Sequence, residues 1–260
     1  MKYLQGKFPI LKKQALARDV YRFWISCPEV AKIAQPGQFV HILPPGFGLR
    51  RPISIAGIDP EHGILQIVFV IKHEGTRILS ELQQGNYLDM IAPLGHGFTL
   101  MPEASHVVLV GGGIGVPPML PLAAYYGEKA TAVSGFRSFQ QVILQEDLEN
   151  YGASTICCTE DGSAGAIQGF VTTPLEQLLA EGVDAVFACG SQPMLKAVAE
   201  LCIKNHTYCE ISMEERMACG IGACLGCACK MKNPDTEEIQ FLHVCKNGPV
   251  FKAEEVVWNG

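Results

Sequence analysis

The stretch HVVLVGGGIGVPPML, residues 106–120, decides the fold. Val107 to Val110 is an apolar run without polar alternation, which suits a strand buried on both faces. The run ends in glycines, and PPMLPLAAYYG behind it reads as a helix. Gly111, Gly112, Gly113 and Gly115 therefore stand where a strand hands over to a helix N-terminus. A phosphate can approach such a turn because side chains are missing, and the free N–H groups and positive dipole end stabilise it. The spacing departs from G-x-G-x-x-G, and tight strand–helix packing explains the same glycines. A second junction, FACGSQPML at 187–195, carries Cys189 and Gly190. In an open parallel sheet the C-terminal strand ends converge, so both junctions are expected to line one crevice.

Working outward, the same grammar continues to about residue 208. The segments ATAVSGF, VILQEDLENYG, ASTICCTEDG, TTPLEQLLAEG, AVFACGSQ and PMLKAVAELCIKN alternate strand and helix patterns. Residues 102–208 are thus expected to form an α/β unit with a parallel sheet covered on both faces. Residues 1–101 differ: GQFVHILPP, RPISIAGI, GILQIVFVIKHEG and GNYLDMIAPLG are short strand-like runs between Pro and Gly, spaced as in an antiparallel barrel or sandwich. One helix is expected in TRILSELQQ. Within this part Arg51-Pro52-Ile53-Ser54 places a cation and a hydroxyl where both can meet an anion, or is a solvated strand face. Gly75-Thr76 opens the helix as either a phosphate contact or a plain cap.

Residues 209–260 form a third region, rich in cysteine and glycine. CGIGACLGCACK at 219–230 places Cys219, Cys224 and Cys227 in C-x4-C-x2-C spacing, that of plant-type [2Fe–2S] sites, with Cys245 downstream as the fourth sulfur. Gly220, Gly222, Ala223 and Gly226 are small enough for a loop to wrap closely and turn its N–H groups inward. Four cysteines also suit a tetrahedral zinc ion, although zinc is usually held by two compact knuckles and only one pair here has that form. Cys229 is the surplus sulfur.

The chain of 260 residues, 48% hydrophobic and 18% charged, is long enough for two or three domains. Its net charge of −6, without a basic run, speaks against a nucleic-acid partner. No secretory leader and no apolar span of about 18 residues is read, so no membrane is expected and the location is expected to be cytoplasmic. Thiols stay reduced there, which turns the eleven cysteines away from disulfides and the clustered ones toward a metal.

In order along the chain, RPIS at 51–54, GGGIGVPP at 111–118 and ACGSQPM at 188–194 resemble the flavin-reductase superfamily that includes ferredoxin–NADP reductase. With EERMACGIGACLGCACK and HVCKNGPVF added, the whole chain is similar to the electron-transfer subunits of class 1B dihydroorotate dehydrogenases. The resemblance implies an N-terminal Greek-key FAD barrel, a nicotinamide-binding α/β domain and a small C-terminal [2Fe–2S] domain. It implies FAD contacts at Arg51, Pro52, Ile53, Ser54, Val68, Phe69, Val70, Gly75 and Thr76. Nicotinamide contacts are expected at Gly111, Gly112, Gly113, Gly115, Cys189 and Gly190, and cluster ligands at Cys219, Cys224, Cys227 and Cys245. Val70 departs from relatives that carry Arg there. Where related ferredoxin-linked bifurcating reductases carry aspartate, Cys219 favours the dihydroorotate branch.

The implied function is electron transfer from an FMN-containing catalytic subunit that oxidises dihydroorotate, through [2Fe–2S] and FAD to NAD+, in pyrimidine biosynthesis. The implied assembly holds two subunits of each kind, with no orotate chemistry in this chain. A ferredoxin- or sulfide-linked NAD(P)H flavin reductase is the rival of the same class. A zinc-stabilised nucleotide-binding regulator is the rival of another. Met213, Met217, Leu225 and Phe251 are candidate interface anchors or core. Glu215 either faces the flavin or is a surface charge, His243 reads as a surface or capping residue, and Arg137 leaves NAD against NADP open.

Overall fold

The computed structural model of the chain describes residues 3–163 and 166–258. The first part contains β1 (Leu4–Ala17), β2 (Val20–Ser26), α1 (Pro28–Ala31), β3 (Phe39–Leu43), β4 (Arg51–Asp59), β5 (Ile64–Val70), α2 (Glu74–Glu81) and β6 (Tyr87–Leu94). The six strands close into an antiparallel barrel of order β1-β2-β5-β4-β3-β6. β3, β4 and β5 follow one another, and β6 returns beside β3, which is a Greek key. The barrel interior holds Phe23, Ile25, Ile42, Ile55, Leu65, Ile67 and Met90. The long first strand has no counterpart among the strand-like runs read from sequence. Its only buried residue is Ile10, so its order comes from pairing with β2 and β6 rather than from an apolar pattern.

The second part is built from β7 (Val107–Gly112), α3 (Leu120–Tyr126), β8 (Ala130–Phe136), α4 (Gln145–Asn150), β9 (Ser154–Thr159), β10 (Ile167–Gln168), α5 (Thr172–Glu181), β11 (Ala185–Cys189), α6 (Gln192–Lys204) and β12 (Tyr208–Ser212). After it come the hairpin strands β13 (Ala228–Lys232) and β14 (Ile239–His243), then β15 (Val250–Lys252). The main sheet has the order β10-β9-β8-β7-β11-β12-β15, parallel except for the β12–β15 edge. Its central strands are buried along almost their whole length, as two covered faces require. α6 buries Leu195, Val198, Ala199 and Cys202, one stripe at helical spacing. The helix read behind the glycine turn begins late: Gly113–Gly115 and Pro117–Met119 are 3-10 turns before α3. Pro117, Pro118 and Pro121 have no N–H to donate, which delays a regular helix.

The division expected at 208/209 falls inside β12, so Cys209 to Ser212 belong to the parallel sheet, and β15 returns to its edge. The intervening region packs on its neighbours. One hydrophobic cluster unites Phe39 and Leu94 of the barrel, Val110 and Ala188 of the sheet, and Met231 and Cys245 of the tail. Two polar contacts also tie the parts together. Arg22 on β2 meets Asp147 on α4 at 2.6 Å. Buried Glu210 on β12 accepts the Thr99 N–H at 2.8 Å and the Thr99 hydroxyl at 2.7 Å.

Candidate functional site

A crevice opens where barrel, sheet and tail meet. Its walls include Pro52, Ile53 and Ser54 of β4, Val68, Phe69 and Val70 of β5, Thr76 of α2, Cys189 at the end of β11, and Glu214, Glu215 and Met217 of the tail. Register explains the first two walls. β4 and β5 are neighbours, and Ser54 lies opposite Phe39, which lines the crevice as well. The result is a slot with apolar faces and a few polar groups at its rim, the usual form of a site for a flat aromatic ligand.

Arg51 and Gly75 stand beside this slot. The Arg51 guanidinium lies over the Phe47 ring at 4.6 Å, and a Cβ on Gly75 would come within 2.7 Å of Arg51 Nε. A cation is thus held against the N-terminal turn of α2, where the helix dipole is also positive. An anion touching both the guanidinium and this helix start would be attracted by both, which suits a phosphate. The Thr76 hydroxyl accepts the N–H groups of Lys72 and His73 at 2.9 and 3.2 Å, so it caps the helix in addition to facing the crevice.

The two glycine junctions meet as expected at the switch point of the sheet, where Gly111 is in register with Cys189. Most of their missing side chains, however, are replaced by protein. A Cβ at Gly112 would reach the Met194 sulfur at 2.5 Å, and one at Gly190 the Met194 methyl at 2.5 Å. One at Gly115 would lie 2.1 Å from the Cys189 carbonyl oxygen, and one at Gly111 2.8 Å from Val116 Cα. Gly113, at φ +54°, faces open space. Of the six residues expected at the nicotinamide, only Cys189 lines the crevice, joined there by Ile114 and Pro117. Burial, reinforced by Glu214, pushes the Cys189 thiol up to about 12, so it is neutral at physiological pH.

Sequence reasoning missed Lys72, Ser212 and Glu214, all crevice residues. Lys72 Nζ and Glu214 Oε2 stand 3.8 Å apart across its mouth. Both side chains are more than half exposed, so the pair adds little stability. Glu215, left open between flavin and solvent, is on the crevice wall. Of the four candidate anchors, Met213 and Met217 line the crevice and Phe251 is core, leaving Leu225 exposed. Arg137 is exposed, and His243 is half-buried with Nδ1 unpartnered.

The sulfur loop packs behind the crevice. The Cys219 sulfur accepts N–H groups from Ile221, Ala223 and Cys224 at 3.5, 3.3 and 3.4 Å. Burial raises this thiol, but the N–H groups of Ile221 and Cys224, the Cys224 side chain and the Ala223 N–H outweigh it and bring it down to about 6. Cys227 and Cys245 are buried with sulfurs 3.2 Å apart. Burial, then the hydrogen bond with Cys227, pushes Cys245 up to about 12. The four sulfurs do not close on one point: among the described residues no three His, Cys, Asp or Glu are grouped to hold a single ion. Cys229 turns to the neighbouring strand, its sulfur 3.4 Å from the Leu242 carbonyl oxygen, and burial pushes it up to about 11. Soft sulfur donors with N–H groups aimed at them fit an iron–sulfur centre.

A Greek-key barrel beside a parallel sheet, with a slot between them and a cysteine loop behind it, defines a ferredoxin-reductase-like electron-transfer protein. A family model described as the iron-sulfur cluster binding domain of dihydroorotate dehydrogenase B matches residues 214–257. The dihydroorotate dehydrogenase B (NAD(+)) electron transfer subunit of Caldanaerobacter subterraneus subsp. tengcongensis is 39% identical over 254 residues, covering 97% of this chain and 98% of that protein. Its counterpart in Enterococcus faecalis is 38% identical over 266 residues, covering 99% and 100%. The chain belongs to this family of dihydroorotate dehydrogenase B electron transfer subunits. Among solved structures, an NADH-dependent reduced ferredoxin-NADP oxidoreductase described for flavin-based electron bifurcation superimposes with a TM-score of 0.85 at 30% identity, over 96% of this chain and 90% of that one.

Proposed function

We propose that the chain is the electron transfer subunit of an NAD-dependent dihydroorotate dehydrogenase in pyrimidine biosynthesis, delivering to NAD+ the electrons removed from dihydroorotate on a separate catalytic subunit. The observation that carries this reading is the meeting, at one crevice, of the β4–β5 walls, Cys189 and the tail that leads into the sulfur loop. When bound, FAD supplies exchange between two-electron and one-electron transfer, and a [2Fe–2S] cluster supplies one-electron transfer.

The chain's own residues bind and orient. Pro52, Ile53, Val68, Phe69 and Val70 would hold the flavin ring away from water, and Ser54 would offer it a hydroxyl. Arg51 and the Gly75–Thr76 helix start take the diphosphate, which compensates for the cation and dipole held together there. Neutral Cys189 provides an uncharged contact for the nicotinamide, and the Gly111–Gly115 turn shapes the floor beneath it. Gly113, the open one of its glycines, would let backbone approach a phosphate. Cys219, Cys224, Cys227 and Cys245 hold the cluster, and Cys229 does not. The units are the barrel of residues 1–101, the nicotinamide part that starts at 102 and takes in β12 and β15, and the sulfur loop with its hairpin between them.

The partner is an FMN-containing catalytic subunit in a two-plus-two assembly. The exposed Leu225, beside the ligand loop, with Ile239 and Phe241 on β14, offers apolar anchors for it. A cytoplasmic location accords with eleven free cysteines, and no helix among the described residues is long and apolar enough to cross a membrane.

Co-expression with a dihydroorotate-oxidising subunit tests the proposal. A yellow-brown complex that forms orotate only with NAD+ present is expected. Failure to associate, with NAD(P)H–ferredoxin activity instead, would turn the reading toward the relative described for electron bifurcation. A colourless, zinc-containing protein would sink both.

A further inference from the structure

His41 is fully buried on β3, and among the described residues neither ring nitrogen has a partner at full hydrogen-bond geometry, although the backbones of Cys219 and Arg50 both lie close to the ring. Buried polar atoms in folded proteins are nearly always satisfied, so an orphaned imidazole calls for an explanation. The surroundings supply one. On one side the ring stands edge-on to Phe39, with centroids 6.5 Å apart, and Phe39 lines the crevice. Across the sheet, His41 is in register with Pro52 of the flavin wall. On the other side lies the sulfur loop: a Cβ on Gly220 would come within 2.3 Å of His41 Nδ1, and the backbone of Cys219 faces the ring. Gly220, at φ +72°, thus provides both the turn and the space that the imidazole fills. Phe39, His41 and Gly220 form a packed route from crevice to sulfur loop.

The charged groups nearby are Arg50 and Arg51, with Asp89 paired to Arg50 at 2.7 Å. An imidazole in this setting has an N–H to give and, when neutral, a lone pair to receive.

We propose that His41 is a positioning residue that hydrogen-bonds the Cys219 end of the sulfur loop when the cluster is bound, seating that loop on the flavin barrel and fixing the separation of the two centres. This rests on the electron-transfer reading above. A histidine that merely fills space would be replaceable by an apolar residue of similar size; a hydrogen-bonding one would not.

The test uses the purified holo-subunit with His41→Leu and His41→Asn, whose amide can take the place of Nδ1. FAD content reports barrel integrity. The EPR line shape of the reduced cluster, its midpoint potential and its rate of loss to a chelator report the loop. With FAD retained, His41→Leu is expected to lose the cluster about ten-fold faster or more and to shift both the EPR signal and the potential. His41→Asn is expected to recover most of each. A His41→Leu protein matching wild type in all three overturns the assignment.

Should His41→Leu not fold, wild-type protein labelled with 15N-histidine decides the question. Pulsed EPR of the reduced cluster is expected to show a histidine nitrogen coupling that survives His243→Gln, and its absence overturns the assignment. Wild-type protein without any iron–sulfur signal would refute the underlying reading of the tail, whereas a normal wild-type cluster indifferent to His41 refutes this inference alone.

Discussion

The chain contains two glycine-rich turns that look alike on paper and work by different physics. At 111–115 the glycines permit protein to touch protein: Gly115 lies against the Cys189 carbonyl of β11, Gly111 against Val116 of its own turn, and Gly112 against the Met194 side chain of α6. At 219–226 the glycines release backbone instead. Gly220 and Gly222 take left-handed conformations, at φ +72° and +83°, and the chain turns three N–H groups onto the Cys219 sulfur. A glycine count predicts neither outcome. What distinguishes the turns is whether neighbouring elements or a sulfur occupies the space.

The largest expected effect lies in the second turn. Cys227→Ser removes one of two buried sulfurs in contact and should abolish the native iron–sulfur absorption and EPR signal, leaving flavin in place. In the first turn, Gly115→Ala drives a methyl group into the Cys189 carbonyl and should lower unfolding stability by about 3 kcal/mol. Gly113→Ala, facing open space at a positive φ, should cost only about 1 kcal/mol. Thermal or denaturant unfolding of the pair measures the difference, and equal losses would break the account of that turn as packing.

Arg51 stands against the N-terminal turn of α2, beside the crevice. Arg51→Gln should weaken FAD retention by roughly ten-fold, the loss of a hydrogen bond to a charged group, as read from the flavin-to-protein ratio after dialysis. In cluster-free protein, iodoacetamide should label Cys219 with a rate that rises with pH through a midpoint of about 6 and levels off only well above it, where the thiolate is fully formed. Cys245, held up at about 12, should stay protonated and slow through neutral pH. Peptide mapping across pH 5 to 8 checks the contrast, and equal labelling would remove the distinction between the two sulfurs. The smallest effect belongs to Cys229→Ser, which exchanges one donor to the Leu242 carbonyl for another and should leave the cluster signal nearly unchanged.

Much of the architecture was legible because it rests on local pattern. The unbroken apolar runs of β7 and β11 announced a doubly covered sheet, and the helix of TRILSE appears as α2. The residues that line the slot at Pro52, Ile53, Ser54, Val68, Phe69, Val70, Thr76 and Cys189 were assigned through the family resemblance rather than through local pattern. Other features left no local trace. β1 is too polar to advertise itself, and β12 resembled the start of a cysteine-rich tail. Lys72 and Glu214 are ordinary surface charges until two distant segments bring them to one mouth.

The sequence by itself determined the cysteine spacing, the strand-to-helix grammar and the order of the three parts, because each depends on residues a few positions apart. Only the tertiary structure decided that the glycines at 111–115 are filled by Met194, Val116 and the Cys189 carbonyl, that β15 returns to the sheet edge, and that His41 meets the sulfur loop. Those contacts join residues far apart in the chain, and packing between such residues has no period for a sequence to display.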